Sequence, residues 1–226
     1  MPDPGRRAEE RIPARPLVVA TGNPHKLDEL RTLLADLPLR VLGLGDLPPD
    51  RRPEMPEETG ATFEENADLT ALPVARAAGE WALADDSGFE VPALGDRPGV
   101  VSARYAGIEG ERRAVDLANN RELVGEARAA GLFAGPHPPV ARFRCVLTVA
   151  SPDGRVLCRG RGACEGHLVE EARGTGGFGY DPHFLVPDLG RTFAEIGPEE
   201  KNRVSHRARA LADLRRALVP LLGRTP

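Results

Sequence analysis

The sequence predicts an α/β protein built on a mixed β-sheet with helices on its faces. Short apolar strands alternate with amphipathic helical patterns in the first part of the chain, which is typical of parallel strands joined by crossover helices. Two strand patterns joined by a tight turn follow in the middle, and such a hairpin is antiparallel. The 226 residues are enough for one large domain, or two closely packed lobes, with a sizeable core.

The first strand and helix form a strand–turn–helix unit. Residues 17–20 are a short apolar run, and the Thr-Gly-Asn-Pro segment at 21–24 ends it. Leucines then recur at helical spacing from near His25 until Pro38 closes the segment. Residues 43–60 are rich in proline and carboxylates and are expected to form a loop.

The second helix carries clear boundary signals. Thr62 and Glu65 have the spacing of a capping box, and Gly79 predicts a stop after residue 78. Pro73 lies inside this helix and is expected to kink or split it. Apolar residues 81–84 then predict a second buried strand, which we expect to end at the acidic segment 85–88.

The rest of the chain predicts a helix, a hairpin, a loop and a final helix. The helix covers residues 113–130 and ends before Gly131. Alternating apolar residues from Phe143 to Val149 indicate a half-buried strand. A turn at 151–154 leads to a partner strand at 156–161, with a third strand at 166–169. A glycine-rich loop follows at 174–179, and the last helix begins near Ser205.

Composition narrows the class of protein and its partners. The net charge of −4 argues against broad nucleic-acid binding. No apolar run reaches the ~20 residues of a membrane span, and the N-terminal residues lack the apolar core of a signal peptide. The three cysteines, Cys145, Cys158 and Cys164, include no C-x-x-C pair and fit a reducing compartment. We therefore expect a cytoplasmic protein with a flexible extension over residues 1–15 and one domain over residues 16–226.

A phosphate site is indicated where the first strand meets its helix. Thr21, Gly22, Asn23 and Lys26 surround a helix N-terminus, whose free N–H groups and dipole favour anions. The G-x-x-x-x-G-K loop of many nucleotide-binding proteins is absent. An ordinary helix cap built on Asn23 is the alternative. Only two of the 30 basic residues are lysines, Lys26 and Lys201, and each suggests a place where a compact ammonium is needed.

A metal site is indicated at the end of the second predicted strand. Asp85 and Asp86 are adjacent, so their charges repel unless a cation or a donor lies nearby. Mg²⁺ typically takes one or two protein carboxylates together with substrate phosphates. Open α/β sheets also bind ligands at strand ends. The alternative is a plain turn, because Asp, Ser87 and glycine are common turn residues.

Two further segments suggest a nucleobase pocket. Residues 174–182 place four glycines around Phe178, Tyr180 and Asp181, which would let the backbone approach a base stacked on an aromatic ring. A flexible loop with two packing aromatics is the alternative.

The second of these segments is basic. Lys201, His206 and Arg207 flank the start of the last helix, where their charges oppose the helix dipole. An anionic or carbonyl-bearing ligand would compensate for this. A solvated basic face is the alternative.

Five segments, in this order, resemble the inosine/xanthosine triphosphate pyrophosphatase family: ATGNPHKLDEL, EETGATFEENA, ADDSGFEVPALGDRPGVVSARYAG, GTGGFGYDPHF and EEKNRVSHRARAL. The resemblance runs from about residue 17 to about residue 222. It implies an elongated two-lobed α/β fold with a cleft between the lobes, usually in a homodimer. It also implies Mg²⁺-dependent hydrolysis of ITP, dITP and XTP to the nucleoside monophosphate and pyrophosphate.

The resemblance implies a role for each matching residue. Glu58 and Asp86 would hold Mg²⁺, although the adjacent Glu57 leaves the register of the first ligand open. Asp86 would also accept a proton from the attacking water, so Asp85 is expected to matter less. The residues that would bind substrate are Thr21, Gly22, Asn23, Lys26, Ser87, Phe178, Gly179, Tyr180, Asp181, Lys201, His206 and Arg207.

Base selectivity is expected to rest on hydrogen-bond polarity. Inosine and xanthosine present an acceptor oxygen at position 6, where adenine presents an amino donor. Arg207 can only donate, and a protonated His206 would donate as well.

The chain departs from the family pattern at one position in the second helix. Thr70 stands where the family normally has a lysine that would help to neutralise the triphosphate. Either Arg76 or an extra metal ion would then compensate, or turnover would be reduced. Two alternative functions stay open: a related pyrophosphatase that prefers pyrimidine or modified bases, and a catalytically weak nucleotide-binding protein.

Overall fold

The computed structural model describes residues 14–223. The strands in this range are β1 (Arg15–Val19), β2 (Leu39–Gly43), β3 (Trp81–Val91), β4 (Arg97–Pro98), β5 (Val140–Ala150), β6 (Val156–Leu168), β7 (Phe184–Val186) and β8 (Arg191–Thr192). The helices are α1 (Pro24–Leu33), α2 (Phe63–Ala78), α3 (Arg112–Ala129), α4 (Pro198–Val204) and α5 (His206–Leu222). The extension predicted over residues 1–15 lies outside the described residues except for its last two, and Arg15 already belongs to β1.

The strands form one mixed sheet, as predicted. Their order is β2-β1-β3-β5-β6-β7-β8, with β4 paired to β3. β1 pairs in parallel with β2 and β3, and the other pairings are antiparallel. The crossover helices α1 and α2 join the parallel strands, while a tight turn joins β5 to β6. The short elements β2, β7, β8 and α4 were not expected from the sequence.

The end signals of α2 are confirmed, but its proline does not split it. The Thr62 side chain accepts from the Glu65 N–H, the Glu65 side chain binds back to the cap, and Gly79 ends the helix at φ +68°. The helix is continuous over 16 residues through Pro73. The carbonyl that loses its hydrogen bond belongs to Leu69, which is 41% exposed, so the interruption falls on the outer side of the helix.

The prediction that the second strand ends at the acidic segment is wrong. β3 continues to Val91, because β5 pairs with it from Ala82 to Glu90. The parallel pairing with β1, by contrast, reaches only Leu83. The two aspartates therefore follow the end of the parallel pairing but lie in the middle of an antiparallel one.

Two strand predictions in the hairpin also need correction. The separate strands expected at 156–161 and 166–169 are one strand, β6, of 13 residues. The strand β5 is buried on both faces over its second half, because α2 packs on one face and α5 on the other. The helix α5 packs very closely on β6. A Cβ on Gly160 or Gly162 would lie 2.2 Å from the backbone of α5.

The two largest hydrophobic cores of the described residues lie along the long strands β3, β5 and β6, and a smaller one packs α2 against β3. One core contains Leu83 and Leu147 and is covered by α1 and α5. The other contains Phe89 and Phe143 and includes α3 and the segment from β7 to β8. The acidic segment of β3 lies between Leu83 and Phe89, at the junction of the two cores. Within residues 14–223, no helix is both long and apolar enough to cross a bilayer.

Candidate active site

A cleft at the junction of the two cores brings together nearly all the residues predicted to form the site. Its lining includes Thr21, Asn23, Lys26, Glu58, Asp86, Ser87, Phe178, Gly179, Tyr180, Asp181, Lys201, His206 and Arg207. Gly22 is the predicted residue that does not line the cleft. It is exposed, its φ is not positive, and a Cβ would meet nothing within 4 Å, so no feature of the protein itself requires glycine there.

At one end of the cleft lies the N-terminus of α1. Asn23 caps this helix, with its Oδ1 accepting from the backbone N–H groups of His25 at 2.9 Å and Lys26 at 3.4 Å. The Oγ1 of Thr21 accepts from the Asn23 N–H at 3.1 Å. The alternative of a helix cap is therefore observed. In this cap the Thr21 hydroxyl and the Asn23 side chain act as acceptors, so the Thr21 hydroxyl proton and the Asn23 amide N–H groups can still donate to a ligand.

Asp85 organises the floor of the site rather than facing a ligand. Its side chain is 0% exposed and accepts from Lys26 Nζ at 2.9 Å, Arg207 Nε at 2.6 Å and Ser87 Oγ at 2.8 Å. Although burial alone would raise the pKa of Asp85, the charges of Arg207 and Lys26 hold it well below its ordinary value. The expectation that Asp85 matters less than Asp86 for turnover stays a prediction, but these pairs give Asp85 a structural role that the sequence did not suggest.

The charged side chains form one chain of alternating sign across the site. Glu29 on α1 pairs with Arg207 and lies 3.4 Å from Lys201 Nζ. Lys201 Nζ in turn lies 2.6 Å from Asp181 Oδ2. Through Arg207 and Asp85 the series ends at Lys26. This series ties the helix that carries the predicted phosphate loop to the segments that form the other end of the cleft.

The buried basic cluster differs from both sequence interpretations. Lys201, His206 and Arg207 are each at most 4% exposed, so they do not form a solvated basic face. The sequence also suggested that a ligand offsets the unfavourable helix dipole. Three carboxylates of the protein itself, on Glu29, Asp85 and Asp181, already lie against the lysine and the arginine. Arg207 commits three N–H groups in this way, to Asp85, Glu29 and Ser87, and keeps two of its five for other partners.

Asp86 carries an unsatisfied carboxylate oxygen. Its Oδ2 is buried and has no hydrogen-bond partner among the described residues. Burial, together with the charge of Glu58, raises the pKa of Asp86 to about 7. An orphaned oxygen beside a second carboxylate is costly for the protein alone and is relieved by a cation.

The arrangement fits a divalent cation that keeps open positions. Glu58 lines the cleft, whereas Glu57 is exposed and does not, so the geometry favours Glu58 as the second carboxylate. No three His, Cys, Asp or Glu side chains in residues 14–223 converge as a closed metal cage. Two carboxylates at an open cleft suit a hard cation that completes its shell with water and phosphate oxygens.

Aromatic rings wall the other end of the cleft. Phe178 is partly exposed, stacks on His25 at a centroid distance of 5.4 Å and lies 4.8 Å from Lys201 Nζ. Tyr180 is buried, with its ring stacked on Phe89 at 5.1 Å and its hydroxyl donating to the Ser102 carbonyl at 2.8 Å. Phe178 thus keeps part of its ring accessible at the cleft, whereas Tyr180 is a fixed part of the wall.

His206 is held in its neutral form. Burial, with the charges of Arg207 and Lys201, lowers its pKa well below the ordinary value. Its ring stacks on Phe143 at 4.7 Å, and its Nδ1 has no hydrogen-bond partner among the described residues. These surroundings therefore disfavour the protonated His206 that was expected to donate to the base. A neutral imidazole offers one donor and one acceptor.

Several residues of the site carried no clear functional signal in the sequence. Asp116 and Asn120 on α3 hold the peptide of Gly179, with Asp116 Oδ2 accepting from its N–H at 2.9 Å and Asn120 donating to its carbonyl at 3.0 Å. They are four residues apart on a predicted helix, which indicates a shared face and nothing more. Glu29 lies one turn beyond Lys26, and its position next to Arg207 depends on tertiary packing.

The proposed compensation for Thr70 is not available from Arg76. Thr70 is 6% exposed on α2, one turn after Asn66. The guanidinium of Arg76 lies against Gly154 in the β5–β6 turn, and Arg76 does not line the cleft. The suggestion that Arg76 replaces the missing lysine is therefore wrong.

Known proteins match this chain over most of its length. The model of the Ham1 family matches residues 17–217. A dITP/XTP pyrophosphatase of Thermus thermophilus is 50% identical over 200 residues, which are 88% of this chain and 89% of the relative. A dITP/XTP pyrophosphatase of Synechococcus sp. is 44% identical over 214 residues, which are 94% of each chain.

Solved structures match as well. A HAM1 protein from Coxiella burnetii has a TM-score of 0.77 at 37% identity, over 91% of this chain and 99% of that chain. The Ham1 protein of Staphylococcus aureus has a TM-score of 0.73 at 36% identity, over 92% of this chain and 100% of that chain. The fold described above is therefore similar to that of structures already solved.

Proposed function

The chain belongs to the Ham1 family, and we propose that it is a nucleoside-triphosphate pyrophosphatase acting on the non-standard purine nucleotides ITP, dITP and XTP. The products are the nucleoside monophosphate and pyrophosphate. One observation supports this most directly. Asp86, which has an unpaired carboxylate oxygen, and Glu58 line the same cleft as the α1 N-terminus, with an aromatic and basic pocket at its other end.

The α1 end of the cleft would bind the triphosphate. The dipole of the helix N-terminus attracts phosphate oxygens. The first N–H groups of α1 are already bound by the Asn23 cap, so the donors left for a phosphate are the Thr21 hydroxyl and the Asn23 amide. Lys26 adds a positive charge that Asp85 holds in place at 2.9 Å. Negative charge develops on the departing pyrophosphate, so fixed positive groups at this end lower the barrier.

We propose that the cation is Mg²⁺, held by Glu58 and Asp86. When bound, it neutralises phosphate charge and orients the oxygens for in-line attack. Asp86 accepts a proton from the attacking water. Ser87 stays near the substrate through its hydrogen bond to Asp85.

The aromatic end would bind the base. Phe178 supplies a face for stacking, and the backbone of Gly179, held by α3, shapes the pocket beside Tyr180 and Asp181. The two uncommitted N–H groups of Arg207 can donate to the 6-oxygen of inosine or xanthosine. An adenine amino group facing those donors would leave them unpaired, at a cost of ~1–3 kcal/mol or more. ATP is therefore expected to be a poor substrate.

We also propose a cytoplasmic homodimer whose pyrophosphatase domain covers residues 16–226. These proposals come from the family resemblance and the cysteine usage rather than from the geometry of the cleft. Light scattering coupled to size-exclusion chromatography measures the oligomeric state directly. A monomer across micromolar concentrations would contradict the homodimer.

The decisive experiment is a pyrophosphate-release assay with Mg²⁺ across ITP, dITP, XTP, GTP, ATP and pyrimidine triphosphates. We expect the first three to exceed ATP in kcat/KM by about a hundredfold or more, because donors left unpaired by adenine cost ~1–3 kcal/mol or more. Preference for a pyrimidine or modified base would support the related pyrophosphatase instead. Tight nucleotide binding without pyrophosphate release would support a catalytically weak binding protein.

A further inference from the structure

The segment that carries Glu58 has almost no hydrogen-bonded structure of its own. It lies between a 3-10 turn that ends at Arg51 and the start of α2. Among the described residues, only two hydrogen bonds reach residues 53–60. Arg104 donates to the Glu58 carbonyl, and the Gly60 N–H donates to Asn66. Those two contacts therefore fix where the Glu58 carboxylate lies relative to Asp86.

Asn66 is the inner anchor. It is 0% exposed, and its Oδ1 accepts from the Gly60 N–H at 2.7 Å. The approach is so close that a Cβ on Gly60 would lie 2.6 Å from that oxygen. The other end of the amide, Nδ2, is buried without a hydrogen-bond partner among the described residues, as is Asp86 Oδ2. The amide also lies close enough to Asp86 to lower its pKa against the effect of burial. One side chain thus holds the Glu58 segment and faces the other carboxylate.

Arg104 is the outer anchor. It ends the 3-10 segment Gly99–Arg104 and does not itself line the cleft. Its Nη2 donates to the Glu58 carbonyl at 2.9 Å, and its Nη1 lies 3.6 Å from Glu58 Oε2. The guanidinium thus holds both the backbone and the carboxylate of the same residue. Its side chain is 47% exposed, so it can be replaced without leaving a cavity in the core.

We infer that Asn66 and Arg104 are positioning residues that hold Glu58 beside Asp86 and so set the affinity of the site for its divalent cation. The inference rests on the proposed role of Glu58 and Asp86 as the cation ligands. Two carboxylates without a cation repel each other, so a segment without anchors would move Glu58 towards solvent. Asn66 and Arg104, which are not cation ligands themselves, would hold the two carboxylates together before the cation binds, and this preorganisation favours binding.

The test measures cation binding apart from turnover. Mn²⁺ is titrated into the nucleotide-free protein, and the concentration of free Mn²⁺ is measured by electron paramagnetic resonance. The proteins compared are the wild type, Arg104→Gln, Arg104→Lys and Asn66→Ala. We expect Arg104→Gln and Asn66→Ala to raise the Mn²⁺ dissociation constant by about tenfold or more, with partial recovery in Arg104→Lys. With ITP as substrate, the Mg²⁺ concentration for half-maximal turnover should rise in parallel, while kcat at saturating Mg²⁺ stays close to that of the wild type.

Arg128→Gln is the matched control, because Arg128 is an exposed arginine paired with Glu170 at 2.7 Å, away from the cleft. It should leave the Mn²⁺ affinity unchanged. If Asn66→Ala does not fold, Arg104→Gln alone decides, since that side chain is half exposed. An unchanged Mn²⁺ affinity in Arg104→Gln, or a lower kcat with unchanged affinity, overturns the inference while the proposed function stands. A wild type that neither binds Mn²⁺ nor releases pyrophosphate overturns both.

Discussion

Arg207 and Asp85 form a salt bridge that is withdrawn from solvent, with Nε and Oδ2 2.6 Å apart and side chains 1% and 0% exposed. The pair joins the start of α5 to the middle of β3, 122 residues earlier in the chain. Removing one partner of a buried pair lowers the free energy of unfolding strongly, because the other charge is left uncompensated in the interior.

Asp85→Asn is therefore expected to be severe. It leaves Arg207 and Lys26 in the interior without their shared carboxylate, which should cost about 3–5 kcal/mol of unfolding free energy. Urea denaturation measures this. Glu170→Gln, which breaks an exposed pair with Arg128, serves as the control and should cost less than about 1 kcal/mol. Equal effects of the two substitutions would show that the buried series contributes no more than a surface pair.

Asp86→Asn is expected to separate activity from stability. Turnover should fall by several orders of magnitude, because the proton acceptor and a cation ligand are both lost. The cation-free protein should become more stable, by about 1 kcal/mol or ~2–4 °C in melting temperature, since the substitution removes repulsion with Glu58. Turnover within tenfold of the wild type would exclude Asp86 from the mechanism. A lower melting temperature would show that its charge is compensated within the protein.

Cation affinity should depend on pH through Asp86. Its pKa of about 7 lies above the ordinary 3.8, so the folded protein holds this proton more tightly than the unfolded chain does. Ionisation of Asp86 therefore reduces the stability of the cation-free protein as pH rises from about 4 to about 7. Because a cation and a proton compete for the carboxylate, Mn²⁺ affinity should fall about tenfold per pH unit below about pH 7.

Glu58→Gln checks the cause of that dependence. Removing the Glu58 charge should lower the pKa of Asp86, so the midpoint of the Mn²⁺ affinity curve should move to lower pH even though the affinity itself is weaker. An unmoved midpoint would mean that burial alone sets the pKa of Asp86.

Phe178→Ala should weaken substrate use without harming the fold. Loss of a stacking face costs about 1–3 kcal/mol, so kcat/KM for ITP should fall by about ten- to a hundredfold. Stacking does not depend on the identity of the base, so the ratio of ITP to ATP should change little. The ring is only partly exposed but lies outside both cores, and the melting temperature should stay near that of the wild type. A large change in the ITP/ATP ratio would show that Phe178 reads the base.

Thr70→Lys tests the departure from the family pattern. Thr70 shares a face of α2 with Asn66, and a lysine stem is long enough to carry its ammonium towards the cleft. We expect higher turnover of ITP or a lower Mg²⁺ requirement. Thr70→Met, similar in length and uncharged, is the control for packing. Loss of turnover in the lysine variant alone would mean that the site is adapted to the charges it already has.

Local signals in the sequence predict the framework well and the site only in part. The caps of α1, α2 and α5 lie next to the helix ends. The sequence identifies Thr62 as a cap directly, allows two interpretations of Asn23, and marks Ser205 only as the approximate start of α5. The extent of β3 could not be predicted, because it depends on pairing with β5, more than fifty residues later. The residue pattern within β3 carries no information about which strand pairs with it.

The same limit explains the site residues that were missed. Lys26, Asp86 and Phe178 lie in motifs whose composition is unusual in itself. Glu29 and Arg104, by contrast, are ordinary surface residues until the fold brings Arg207 and Glu58 to them. The neutral state of His206 is another such case, since its cause is burial beside Arg207 and Lys201.

The contact of α5 with Gly160 and Gly162 has a consequence for how this sequence can vary. The backbone of α5 would lie 2.2 Å from a side-chain carbon at either position, so any other residue must push the helix away from the sheet. The first turn of that helix carries His206 and Arg207. Selection for substrate recognition is therefore expected to constrain Gly160 and Gly162 as well, although neither lines the cleft. A survey of tolerated substitutions should find both positions as restricted as the residues of the cleft itself.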